Sequence, residues 1–373
     1  MFGWITDLLY GLLSWINDIT FGIWGISIIV FTILVRLCMT PLDIKSRASM
    51  RKTMKLQPQL QALQKKYAND KEKLNAKTAE LYKKAHVNPL SSCLPMLLTW
   101  PILIAVFGAM RTASNHEMLT QVGQILNGEE AQMEQFLWIR NLWMPDNPTY
   151  TALPTLENLR MVPTADWQTW LEKLPTLYNG QLPLQLQSFT AEWFESLHPD
   201  VLKNVPDDLK NILIGGGVTP MCFEGNNLQP MIMLIVEKMK TYPYYSQNIT
   251  PILDAAGRPA YQVPLVGWAI SMMNNGYLLL PILSAVSQLA MTKIMNGSTP
   301  QPQAVEGQPN TGKFMKWFFP LFSLWICIGY SAAFALYWVA GNLVSIGQTF
   351  LINKYLDSKE KNAGPVAAEG SVR

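Results

Sequence analysis

Apolar residues run from Ile19 to Val35 without a charge, pass a single cation at Arg36, and continue through Leu37, Cys38 and Met39 to Leu42. A run of this length reaches across a bilayer core of about 30 Å when Arg36 is counted in, so 19–42 is predicted as a first transmembrane helix. CLPMLLTWPILIAVFGAM, within 91–112, predicts a second, and GYLLLPILSAVSQLAMTKIM at 276–295 a third. From 314 to 353 there is no acid and one base, Lys316. At 1.5 Å per residue that stretch is about 60 Å long, enough for two spans. A break near Gly329-Tyr330-Ser331 divides it into 313–330 and 331–353.

The remaining segments have other patterns. Residues 1–18 are apolar but interrupted by Asp7 and Asp18, with Trp4, Leu8, Leu12 and Trp15 on one helical face. They lack a basic start and a small-residue cleavage site, so they read as an amphipathic helix in the outer interface rather than an ordinary signal peptide. Residues 43–90 are polar and helix-forming. Leu56, Leu60, Leu63 and Tyr67 form one apolar stripe, Asn69-Asp70 caps a new helix, and Leu74 and Leu81 form a thinner stripe. This predicts a helical hairpin with Leu60 and Leu63 against Leu74 and Leu81. Residues 113–275 contain no apolar run long enough to span and many prolines. Helices are expected at 116–138, 166–174, 186–197 and 227–240, in a small domain occupying about 148–275. A Pro/Gly/Gln linker at 296–312 and a disordered tail at 354–373 complete the chain. The fold class is therefore an all-α polytopic membrane protein with five transmembrane helices.

Composition supports this division. Of 373 residues, 49% are hydrophobic and only 15% charged, against about 25% charged in soluble domains. A mean hydropathy of +0.10 is too low for a chain that is membrane throughout. Residues 43–90 hold twelve Lys/Arg and four Asp/Glu, a balance of +8; residues 113–265 hold eight and sixteen, a balance of −8. The basic loop is expected in the cytoplasm and the acidic segment outside. That puts the N-terminus outside and the C-terminus inside.

Candidate chemistry is sparse. Thr32, Arg36 and Thr40 recur every fourth residue on the first span. Arg36 either snorkels to the near interface or faces a polar cavity. Tyr277, Ser284, Gln288 and Thr292 share a face of the third span, and Trp338, Asn342, Ser345 and Thr349 a face of the last. Such stripes are interhelical glue or the lining of a shared groove. His86, His116 and His198 lie far apart, and the four cysteines have no metal or redox spacing. No HExxH, GxSxG or P-loop motif occurs, so no enzyme, metal or cofactor is implied. No carboxylate lies within a span, which weakens a proton-coupled transporter reading.

RLCMTPL (36–42) leads into a basic hairpin containing KLQPQLQALQKKYANDKEKL (55–74) and ending LYKKAHVNPLSSCLPMLL (81–98). FLWIRNLWMPDN (136–147), LLLPILSA (278–285) and FALYWVAGNLVSIGQTFLINK (334–354) follow. Together these segments resemble the YidC/Oxa/Alb membrane protein insertases, over a little more than half the chain. The resemblance implies an insertase of the bacterial inner membrane, without enzymatic turnover or cofactor, with a hydrophilic groove open to cytoplasm and lipid. Arg36, Thr32, Thr99, Gln288, Trp338 and Asn342 would line that groove. The family's late glutamine aligns on Met291, and Gln288, three residues earlier on nearly the same face, takes its role. Lys65, Lys66, Lys83 and Lys84 would give the hairpin a contact face. The implied partners are nascent membrane proteins and the lipid bilayer, with the ribosome and the Sec translocon as further candidates and no direct nucleic-acid contact. A small-molecule channel or transporter is the alternative, and a receptor or scaffold built on 148–275 comes third.

Overall fold

The computed structural model describes residues 3–68, 70–85, 94–177, 184–187, 189–251, 254, 256, 270, 272–297 and 311–362. Their regular secondary structure is helical, joined by turns and irregular segments, with isolated β-bridges and no strand among them. Of the linker expected at 296–312, residues 298–310 lie outside them, as does the tail beyond 362, while 296–297 and 311–312 belong to helices.

Helix α1 (Gly3–Ile19) packs on α5 (Leu94–Leu126) and α2 (Trp24–Lys55). It buries Leu13 and Ile16 and leaves Trp4, Leu8 and Trp15 exposed, so the predicted aromatic face points away from the bundle. The turn into α2 is tied by Ser27 Oγ, which donates to Asn17 Oδ1 at 2.9 Å. Helix α2 is longer than expected. It starts at Trp24 rather than 19 and runs without interruption to Lys55, so the predicted boundary at 42 is absent. At 1.5 Å per residue its 32 residues extend about 48 Å. Beyond it, α3 (Gln57–Lys66) and α4 (Lys71–Lys84) lie against each other. Asp70 caps α4 by accepting from Lys73 N at 3.0 Å, and Leu60 is the buried apolar residue of the pair.

Helix α5 overruns its expected end at 112 and continues to Leu126. The helix expected at 116–138 stops there because Gly128 adopts φ +80°, and Glu129 N returns to Gln124 O at 2.9 Å. This is a glycine-terminated helix end. The overrun gives α5 a place in two hydrophobic cores. Val106, Met110 and Ala113 pack with Ile28, Phe31 and Phe334 in the bundle. Met118, Leu119, Val122, Ile125 and Leu126 pack with Trp167, Phe223 and Ile235 in the polar part of the chain.

That second part contains α6 (Leu156–Arg160), α7 (Thr164–Leu177), α8 (Leu184–Gln187), α9 (Ala191–Glu195), α10 (Pro199–Leu202), α11 (Asp207–Gly216), α12 (Leu228–Lys240) and α13 (Pro243–Ile249). The single helix expected at 186–197 is two short pieces, because Thr190 accepts from Trp193 N at 3.2 Å and starts a new helix. Helix α11 was not anticipated.

Helices α14 (Leu279–Gly297), α15 (Thr311–Gly329) and α16 (Ala332–Asn362) complete the bundle. The break between α15 and α16 falls at Tyr330-Ser331, as the sequence suggests. Helix α16 continues through 354–362, where a disordered tail was expected. It packs on α14 and α2, and α14 also packs on α15. Two of the described helices, α2 and α16, are long and apolar enough to cross a membrane, while α14 and α15 offer shorter apolar runs.

Candidate functional site

Arg36 lies on the side of α2 that faces α16. A Cβ built on Gly341 would stand 3.3 Å from Arg36 Nη2 and 3.8 Å from Thr32 Cγ2. The guanidinium thus rests on bare helix backbone, a close approach that a larger residue at 341 would obstruct. Among the described residues it has no hydrogen-bond acceptor and no carboxylate in contact. It is half-buried. A cation so placed loses part of its hydration, and Asp43, a carboxylate whose charge couples to it, lies outside ion-pair distance.

Around Arg36 the two helices are joined by polar contacts. Gln348 Nε2 donates to Thr40 Oγ1 at 2.8 Å and to Arg36 O at 3.0 Å. Arg47 Nη2 donates to Thr349 Oγ1 at 2.8 Å. Further along, Arg51 pairs with Asp357 at 2.6 Å and Lys55 with Glu360 at 3.3 Å. Of the side chains in this ladder, Thr40 and Thr349 belong to the stripes singled out from sequence. Gln348 was missed, although Gly341, Ser345 and Gln348 form a second small-and-polar row with helical spacing.

The other candidates divide. Thr32 is buried and donates to Ile28 O at 2.6 Å, so its hydroxyl is committed to its own helix. Asn342 is buried and donates to Ser287 Oγ at 3.0 Å, which joins α16 to α14 as interhelical glue. Trp338 packs on Phe334 with ring centroids 5.7 Å apart, and its buried indole N–H has no acceptor. Gln288 is half-buried on α14, where its backbone carbonyl accepts the Thr292 hydroxyl at 2.8 Å. Thr99 lies in α5, with its side chain outside the described residues.

Lys65, Lys66, Lys83 and Lys84 are all exposed at the C-terminal ends of α3 and α4. Lys84 is paired with Glu80 at 2.8 Å, and Lys77 with the same carboxylate at 2.7 Å. The hydrogen bonds from Lys77 and Lys84 hold the Glu80 carboxyl down to about 2.

The opposite end of the bundle is closed by the segment 141–147. Leu142 O and Met144 O accept the first backbone N–H groups of α16, from Ala333 at 2.8 Å and Ala332 at 2.9 Å. Asp146 Oδ2 accepts Leu280 N at 2.7 Å and Oδ1 accepts Tyr277 N at 2.8 Å, which caps α14. Asn141 and Asn275, both buried, exchange bonds of 2.7 and 2.8 Å. One loop thus satisfies free N–H groups of two helices.

A sequence model of the 60Kd inner membrane protein family matches residues 15–188 and 227–360. The chain is 42% identical over 135 residues to a protein of Fusobacterium nucleatum named membrane protein insertase YidC, covering 36% of this chain and 57% of that one. It is 37% identical over 149 residues to a protein of the same name from an Anaeromyxobacter strain, covering 40% and 24%. A third, from Blochmanniella floridana, is 37% identical over 163 residues, covering 43% and 26%. The matches thus span between about a quarter and just over half of these relatives' lengths.

Proposed function

Because the chain belongs to the 60Kd inner membrane protein family, we propose that it is a membrane protein insertase, which takes nascent spans at the α2–α16 face and releases them into lipid. The observation that carries this reading beyond the family is Arg36, a half-buried cation on Gly341 with no counter-ion in contact.

The mechanism follows from ordinary electrostatics and partitioning. Two unit charges 4 Å apart attract by about 1 kcal/mol in bulk water and about 4 kcal/mol at an effective dielectric near 20. Arg36 therefore draws an acidic tail part-way across more strongly than a surface cation would. The apolar span that follows leaves for the bilayer because burial of its side chains in lipid is favourable. No step makes or breaks a covalent bond, so no turnover chemistry is needed. Trp338, one turn before Gly341 on α16, would contribute the aromatic part of the lining. Gln288 and Thr99 complete the lining in this reading, while Thr32 and Asn342 hold its walls.

The five-span arrangement belongs to the same proposal. Helix α2, the first part of α5, α14, α15 and the first part of α16 cross the membrane, with 43–90 in the cytoplasm and 113–275 outside, as the +8 and −8 balances favour. Helices α3 and α4 then form a cytoplasmic hairpin whose lysines meet anionic headgroups, with the ribosome and the Sec translocon as candidate protein partners. The deciding experiment is complementation of a bacterial strain depleted of its own insertase. Growth rescued by the wild-type chain and not by Arg36→Ala supports the proposal; failure of the well-expressed wild-type chain to rescue sinks it.

A further inference from the structure

A cavity of about 330 Å³ lies where α5, α6, the 143–150 segment and the α15–α16 turn meet. Its inner wall is apolar. Phe107 and Phe334 stand 5.2 Å apart edge to face, Tyr330 lies 4.5 Å from Phe107, and Met110 is fully buried beside them. Its rim is charged, with Arg111 on α5 and Glu157 on α6.

These two charges form no ion pair with each other or with any other described residue. Arg111 donates to Met161 O at 2.6 Å; a guanidinium offers about five N–H donors, so most remain unspent. The cavity therefore combines an unpaired cation, an unpaired anion and an apolar floor.

We propose that this cavity binds the headgroup of a zwitterionic phospholipid carrying a phosphate and a primary ammonium. The inference rests on the five-span reading, which puts this end of the bundle at the outer headgroup layer. A bare anion would gain from Arg111 but be opposed by Glu157, and a bare cation the reverse. A zwitterion of this type satisfies both at once through charge-assisted hydrogen bonds. A quaternary ammonium has no N–H to give Glu157, and a phosphoglycerol headgroup has no positive charge. The first chain methylenes would lie along Phe107 and Phe334. Among the described residues no group of three metal-ligating side chains competes for the site.

The test uses the full chain in detergent with Cys38, Cys93, Cys222 and Cys327 replaced by alanine and Ser331→Cys on the cavity wall. Dihexanoyl phosphoethanolamine, phosphocholine and phosphoglycerol are titrated, and maleimide labelling at position 331 is timed. The phosphoethanolamine lipid should protect at about tenfold lower concentration than the other two. Arg111→Gln and Glu157→Gln should each abolish that preference, and Arg111→Lys should keep most of it. Equal protection by all three headgroups, or a preference that survives both glutamine variants, overturns the proposal. If Arg111→Gln fails to fold, Glu157→Gln against wild type decides. Labelling of a cysteine at Glu195, exposed and outside the cavity, in spheroplasts by an impermeant maleimide tests the topology separately. An unreachable 195 with headgroup preference intact would overturn the outer location and leave the site standing.

Discussion

The carboxylate of Asp146 accepts the backbone N–H of Leu280 at 2.7 Å, across 134 positions of chain that include most of the polar domain. It fixes where α14 begins, and Leu278 is held just before that start at φ +63°, a conformation that non-glycine residues rarely adopt. Asp146→Ala would leave the N–H groups of Tyr277 and Leu280 and the indole of Trp138 without this acceptor. The expected loss is about 2–3 kcal/mol of stability, read as a lowered midpoint in thermal melts of the full chain. A midpoint unchanged within error would show that water or another group replaces the cap.

Arg36 and Gly341 should act as one unit. Gly341→Leu forces the guanidinium off α16, so it should impair insertion to a similar degree as Arg36→Ala. The double variant should then be no worse than either single one. If the positive field is what matters, Arg36→Lys retains most activity, since lysine loses only the guanidinium fork. Clients with an acidic translocated tail should suffer most from Arg36→Ala. Equal loss for acidic and neutral tails, in a protease-protection assay, would assign Arg36 a structural role.

The orientation is checked by single cysteines at Ala68 and Glu195 in a background without native thiols. An impermeant reagent added to intact spheroplasts should label 195 and spare 68. The opposite pattern reverses the topology.

The lysines at the tips of α3 and α4 are exposed, and one of them is already engaged with Glu80. Reversal of Lys65, Lys66, Lys83 and Lys84 to glutamate should reduce binding of the full chain to anionic vesicles and slow insertion, with an effect that shrinks at high salt. Insertion at the wild-type rate after all four reversals would exclude this face from function.

Glu117, on the C-terminal part of α5, is half-buried and lies near the charge of Glu134, which together push its carboxyl from 4.5 up to about 7. A raised carboxyl binds its proton more tightly in the folded chain than in the unfolded one. Its contribution to stability is therefore largest below pH 4.5, declines as pH rises toward 7, and is flat above that. The amplitude should be on the order of 1–3 kcal/mol. Glu117→Gln should raise the melting midpoint at pH 8 and flatten its dependence between pH 5 and 8. A wild-type midpoint that rises through that interval would contradict the assignment.

What the sequence alone determined is what depends on neighbours in the chain. The length of an uncharged run decides whether a helix can cross a bilayer, because each apolar side chain partitions almost independently of its partners. Hence the all-helical class, the two long apolar helices α2 and α16, the α15–α16 break at Tyr330-Ser331 and the helical character of 55–84 were all legible. So was Arg36, since a cation within an apolar run stands out by itself. Tertiary structure decided which polar groups are already spent. Thr32, Asn342 and Gln348 look alike as polar residues on apolar helices. Yet Thr32 is bonded within its helix, Asn342 to Ser287, and Gln348 to Thr40 across 308 positions. Nor does the segment 141–147 advertise in its own pattern that it caps two helices, each more than 130 residues away. A hydrogen bond forms only when donor and acceptor meet within about 3 Å. For residues so distant in the chain, that meeting is set by the packing of α2, α14 and α16 and not by spacing.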